Sequence, residues 1–260
     1  MATCLATLPS LEYLDIRFKS PQSRPNRIGQ PPPTRVILPT LDHFQFNGVS
    51  EYLEDLVARI DTPKLVTLTI RLFMDLMFNI PQLHNFIIRT ERIRPLNLAQ
   101  ILFHPGASMI RSGHAIYLEI GCRERDWQAS SMAQVCSRLS PLLSHVEQLA
   151  ISEDTPAQAR QGNDIDPPLF LDLFDPFPSL KHLHIYGELR PLVARALQEL
   201  TGDSATEVLP SLRRLVFEGP PPSGSIQKDM QGFITARQNS NHHPVDVEWR
   251  ESNHSQPPIP

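Results

Sequence analysis

Long apolar runs are missing from this chain of 260 residues. No stretch approaches the roughly 18 to 20 uninterrupted apolar residues that a membrane helix needs, which excludes a transmembrane helix. Cysteine is scarce: Cys4, Cys122 and Cys136 form no CxxC pair. An odd, sparse count argues against a disulfide framework and fits a reducing compartment, cytoplasmic or nuclear. A basic excess is also missing, because 24 Lys and Arg face 28 Asp and Glu, for a formal net charge of −4. Nucleic-acid binding calls for clustered Lys and Arg and is therefore disfavoured. Residues Met1 to Leu5 carry neither a basic n-region nor an apolar core, so no signal peptide is expected. Glycine is sparse at 11 residues, whereas proline reaches 26, about twice its usual share of ~5%.

What the sequence does contain is a repeat. A proline precedes the pattern x-Leu-x-x-Leu-x-Ile in Pro9–Ile16, PSLEYLDI, and the phrase returns as Pro39–Phe46, PTLDHFQF. Further copies are Pro63–Ile70 (PKLVTLTI), Pro81–Ile88 (PQLHNFII), Pro178–Ile185 (PSLKHLHI) and Pro210–Phe217 (PSLRRLVF). Degraded copies end in Tyr117–Ile120 and span Ser144–Ile151. The first apolar positions run from 11 to 212 in seven steps, a mean of about 29 residues, at the upper end of the ~20–29 of leucine-rich repeats. Leu14 and Ile16 lie two apart and share one face of a strand. The leading proline fixes φ and lacks an N–H, so it ends the preceding segment where no ladder bond is needed.

Between the strands helical spacing appears. Leu53, Leu56, Val57 and Ile60 follow i, i+3, i+4, i+7 after Ser50, a candidate N-cap. Met132, Val135, Cys136 and Leu139 do the same, with Ser131 and Gln134 spaced as a capping box. Leu189, Val193, Leu197 and Leu200 mark a third helix with Gly202 beyond its end, and Ile226, Met230, Phe233 and Ile234 a fourth. Segments 73–80 and 96–104 are weaker helix candidates. Strand and helix in alternation imply parallel strands with right-handed crossovers. The expected fold is thus α/β: a leucine-rich-repeat-like solenoid over residues 1–250, with a curved parallel sheet and helices on the convex side. Val245, Val247 and Trp249 alternate like a closing strand. Residues 19–35 are a Pro-rich basic insertion, residues 152–168 and 201–209 are polar connections, and 251–260 reads as a disordered tail. The chain starts eight residues before a full repeat, with no capping element expected there, so a truncated product or a C-terminal fragment is the expectation.

The runs LPSLEYLDIRFKSPQSRPNRIGQPPPTRVILPTL, SEYLEDLVARIDTPKL, RDWQASSMAQVCS, HVEQLAISED and RPLVARALQELTGDSATEVLPSLRRLVFEG resemble the C-terminal repeat region of fungal F-box proteins with degenerate leucine-rich repeats. The resemblance covers about residues 8 to 250. It implies a substrate-recognition region of a cullin–RING (SCF) ubiquitin ligase, binding a protein substrate while an F-box docks the Skp adaptor. No F-box is expected within residues 1–7, which are too few for its helices. A Skp adaptor or cullin partner is therefore expected only if an upstream F-box exists in the native protein. The alternatives are a ubiquitin-independent repeat scaffold and a degenerate gene product.

Motifs for chemistry are weak. Gly219 and Gly224 have the spacing of a phosphate loop, yet the lysine is absent and three prolines remove backbone N–H groups. His182 and His184 share a strand face but lack the further ligands zinc requires, as does His242–His243. No GxSxG, HExxH or Cys/His signature occurs. No enzyme, metal or cofactor is expected. The sharper candidate is the strand face opposite the leucine row, which the repeat register assigns to Tyr13, Asp15, Arg17, His43, Gln45, Arg71, Arg89, Tyr117, Glu119, His182, His184 and Tyr186. Tyr and Arg favour binding hot spots. Arg17, Arg71 and Arg89 fall in one column, a basic stripe suited to an acidic or phosphorylated partner.

Overall fold

A computed structural model describes residues 2–19, 35–73, 78–93, 97–154, 166, 168–200, 207–219, 224–239 and 244–251. Most of the Pro-rich insertion, Gly202, the prolines 220–222, His242–His243 and nearly all of the tail lie outside the described residues. Strands are Tyr13–Arg17 (β1), Val36–Ile37 (β2), His43–Gly48 (β3), Ile60–Asp61 (β4), Thr67–Leu72 (β5), Leu98–His104 (β6), Ala107–Ser112 (β7), Ile116–Gly121 (β8), Gln148–Glu153 (β9), His182–Tyr186 (β10), Arg214–Glu218 (β11) and Asp246–Arg250 (β12). Helices are Ala2–Leu5 (α1), Ser50–Val57 (α2), Pro81–Arg89 (α3), Arg125–Arg138 (α4), Ser140–Leu143 (α5), Pro168–Phe174 (α6), Leu189–Glu199 (α7) and Gly224–Asn239 (α8).

The architecture is mixed α/β around a large, mostly parallel sheet of ten strands in the order β1-β3-β5-β8-β7-β6-β9-β10-β11-β12. The repeated apolar pairs all point to one side. Phe44 and Phe46, Leu68 and Ile70, Leu118 and Ile120, Leu149 and Ile151, Leu183 and Ile185, and Leu215 and Phe217 are all buried. The helices pack beside one another in chain order, α2 against α3, α4 against α6, α6 against α7 and α7 against α8. Their buried faces, such as Leu53, Leu56 and Val57 of α2 or Val193 and Leu197 of α7, complete one continuous core. Burial of so many apolar side chains is the main force holding the two layers together. At the open edge the same device weakens: Leu14 and Ile16 of β1 are only half-buried. Residues Ala2–Leu5, where no element was expected, make one helical turn that buries Leu5.

The centre of the sheet departs from the repeat. Pro81–Ile88, read as a strand copy, is helix α3. Leu83, Phe86 and Ile88 fit the strand phrase, but Leu83, Phe86 and Ile87 fit i, i+3, i+4 and are the residues buried, and proline is favoured in a helix's first turn. Residues 96–104, a weak helix candidate, contain strand β6, with Ala99, Ile101 and Phe103 turned inward. The chain then reverses at Pro105-Gly106, where Gly106 adopts φ 91°, a conformation open to glycine at little cost. Strand β7 runs antiparallel to both β6 and β8, so the sheet is not wholly parallel. The meander β6–β7–β8 fills three positions between β5 and β9. Two caps also differ from expectation. Val49, not Ser50, precedes the first turn of α2, and Ser131 and Gln134 lie inside α4. Helix α3 receives no side-chain cap from Ile80. Instead the Glu54 carboxylate reaches over from α2 and accepts from the N–H of Gln82 at 2.7 Å and of Leu83 at 2.8 Å.

Candidate protein-binding face

Because side chains alternate along a strand, the sheet's second face carries the residues between the core positions. The register fixes their rows. One row runs Asp15, Gln45, Thr69, Tyr117, Arg111, Gln100, Ala150, His184, Val216 and Glu248 across all ten strands. Beside it run Arg17, Asn47, Arg71, Glu119, Met109, Leu102 and Ser152, then Tyr186, Glu218 and Arg250. Most are exposed or half-buried, while Ser152 and Val216 are buried. At about 4.8 Å between strands the face is about 43 Å across, enough for a standard interface of ~800 Å² per partner.

Eleven of the twelve expected residues stand on this face, in three groups. At the β1 edge Tyr13 donates its hydroxyl to Gln45 Oε1 at 3.2 Å and lies 6.2 Å from the His43 ring. Arg17 pairs with Asp15 at 2.7 Å, and His43 with Asp42 at 2.7 Å. That bond holds the Asp42 carboxyl below its usual range. Four strands in, Glu119 Oε2 accepts from Tyr117 Oη at 2.5 Å and from Arg71 Nε at 3.3 Å, with the guanidinium 5.8 Å from the tyrosine ring centre. Burial, reinforced by Glu119, pushes the Tyr117 hydroxyl up to about 12, so it stays a hydrogen-bond donor. The third group lies about 34 Å from β1. His184 stacks near Tyr186 at 6.4 Å, and its Nδ1 stands 3.6 Å from Glu218 Oε1. Burial lowers the His184 value against the opposing pull of Glu218, and burial with Glu218 raises Tyr186 to about 12. His182 shares its strand face with them. Two polar atoms here, His184 Nδ1 and Ser152 Oγ, are buried without a hydrogen-bond partner.

The exception is Arg89. It sits on α3 in the helical layer, donating to Asp61 Oδ1 at 2.8 Å and to the Val57 carbonyl at 3.0 Å. It anchors α3 to the turn after α2, so the three-arginine stripe does not form. Arg17 and Arg71 do share a row, with Asn47 between them, and each already holds a carboxylate.

The centre of the face lies on β6 and β7, which carry no copy of the repeat phrase. Leu98, Leu102 and Met109 form a half-buried apolar patch with Ala150, and Arg111 stands in its midst, its Nε donating to Gln100 Oε1 at 2.7 Å. The signal available for β6 was the alternation Ala99, Ile101, Phe103. In β7 it was masked, because the inward residues flanking Ile110 are Ser108 and Ser112. Behind the meander, Ile87, Ala99, Ile110, Ile116 and Leu142 help line an apolar cavity of about 20 Å³, too small for an organic ligand. Among the described residues no three His, Cys, Asp or Glu side chains converge, and no helix is long and apolar enough to cross a membrane. No protein-family model, curated protein or solved structure matches the chain.

Proposed function

We propose that this chain is a non-enzymatic protein-binding domain, an irregular leucine-rich-repeat-like solenoid that takes its partner on the open face of the sheet. The resemblance to fungal F-box proteins gives the partner a role: a substrate held for ubiquitin transfer by an SCF-type ligase. The chain supplies capture and proximity, not chemistry. The observation that carries the reading is the face itself, ten registered strands wide, with tyrosine and arginine groups around an apolar centre. That distribution matches an interface with a desolvated core and a polar rim.

The test is photo-crosslinking from the full-length native protein. A benzoylphenylalanine at Tyr13, on the face, is compared with one at Glu51, on the first turn of α2. A protein captured from Tyr13 and not from Glu51 is expected. Identical products from both positions would overturn the face as the partner surface. Retention of a Skp adaptor by the same protein tests the ligase assignment separately.

A further inference from the structure

The arginines of the open face are not equivalent. Arg17 holds Asp15 at 2.7 Å, Arg71 holds Glu119 at 3.3 Å, Arg214 faces Asp246 at 3.9 Å, and Arg250 holds Glu248 at 2.6 Å. These pairs neutralise the β1 edge, the β5–β8 step and the β11–β12 edge of the face. Arg111 differs, since among the described residues it has no carboxylate partner. Its Nε contacts the neutral Gln100 amide, which orients the guanidinium without compensating its charge. The diagonal carboxylate, Glu119, already accepts from Arg71 and Tyr117. The two Nη groups of Arg111 therefore remain as a planar fork at the middle of the sheet, between Tyr117 on β8 and Gln100 on β6. Around the fork lie Leu98, Leu102, Met109 and Ala150, all half-buried.

We propose that Arg111 anchors an acidic side chain of a protein partner, whose neighbouring aliphatic or aromatic side chains cover the Leu102–Met109 patch. The inference rests on the reading of this face as the partner surface and adds the partner's chemistry. Charge complementarity selects the occupant. A half-buried arginine with two donors in a fixed fork matches a carboxylate bidentately. Covering the apolar patch excludes water and strengthens that pair, the arrangement typical of a hot spot. A wholly apolar partner would instead bury the guanidinium without a counter-charge, which is costly.

The experiment pans a displayed library of short random peptides on the immobilised full chain, and measures the best binder against wild type, Arg111→Gln and Met109→Lys. Enriched peptides should carry Asp or Glu beside Leu, Ile or Phe. Binding should fall at least about tenfold with Arg111→Gln, and by a similar factor on wild type when the peptide's acid is replaced by its amide. The amide swap needs no variant of the chain, so it reads the anchor even if Arg111→Gln folds poorly. Peptides lost on Met109→Lys but indifferent to the acid-to-amide swap would overturn the anchor and leave the face standing. Peptides indifferent to both Met109→Lys and Arg111→Gln would overturn the face and the anchor together.

Discussion

Glu54 links two helices through a single carboxylate, and two physical effects on it oppose each other. Its two oxygens accept from the first-turn N–H groups of α3, where a helix N-terminus favours negative charge. Burial opposes the charge and prevails, raising the carboxyl from 4.5 to about 7. The folded protein therefore keeps a proton that the unfolded chain has released between those values. The stabilisation this gives is complete below about pH 4.5 and is lost as pH rises through about 7. The gap corresponds to about 3 kcal/mol as an upper figure, because water still reaches part of the group. At acid pH the protonated carboxyl, like the amide of Glu54→Gln, offers one strong acceptor oxygen to the two N–H groups, so the two proteins should differ there by less than about 1 kcal/mol. The stability of the variant should then decline less than that of wild type across the window. The assay is urea unfolding of both proteins at half-unit steps from pH 4.5 to 8. The difference between the two curves isolates Glu54 from the histidines. A difference that is flat, or that shows wild type gaining on the variant as pH rises, would mean that the helix terminus outweighs burial and would refute the reasoning.

Three further outcomes are expected. Leu183 of β10 is fully buried between Leu149 and Leu215 on the neighbouring strands, so Leu183→Ala should cost about 2–5 kcal/mol in denaturant titration; a loss below about 1 would place β10 outside the core. The guanidinium of Arg237 is buried and donates to the carbonyls of Leu209, Pro210 and Leu212. Arg237→Met strips those carbonyls of their donor and should lower stability by about 3 kcal/mol or more, with an unchanged melt refuting that role. Cys4 is exposed while Cys122 and Cys136 are buried, with burial raising both thiols. Native protein should thus show one fast-reacting thiol by Ellman titration and three after guanidinium, and two fast thiols would show that a buried site opens.

What the sequence determined by itself is the strand phrase and its inward side. Leu14 and Ile16, Leu183 and Ile185, and their counterparts need only a period of two and a leading proline, both local properties. The polar positions between them followed automatically, which is why eleven of twelve face residues fall on the sheet. Helices α2, α4, α7 and α8 were legible for the same reason, from apolar spacing alone. The tertiary structure decided the rest. PQLHNFII satisfies helix and strand spacing equally, and only packing made it α3, with Phe86 edge-on to Phe44 at 6.3 Å; that choice moved Arg89 off the face. Strand β7 has Ser108 and Ser112 on its inward side, so no apolar period announces it. It exists because β6 and β8 offer hydrogen-bonding edges on both sides and buried backbone groups must be paired. Arg111 reached the centre of the face through that pairing, a long-range fact that local spacing does not encode.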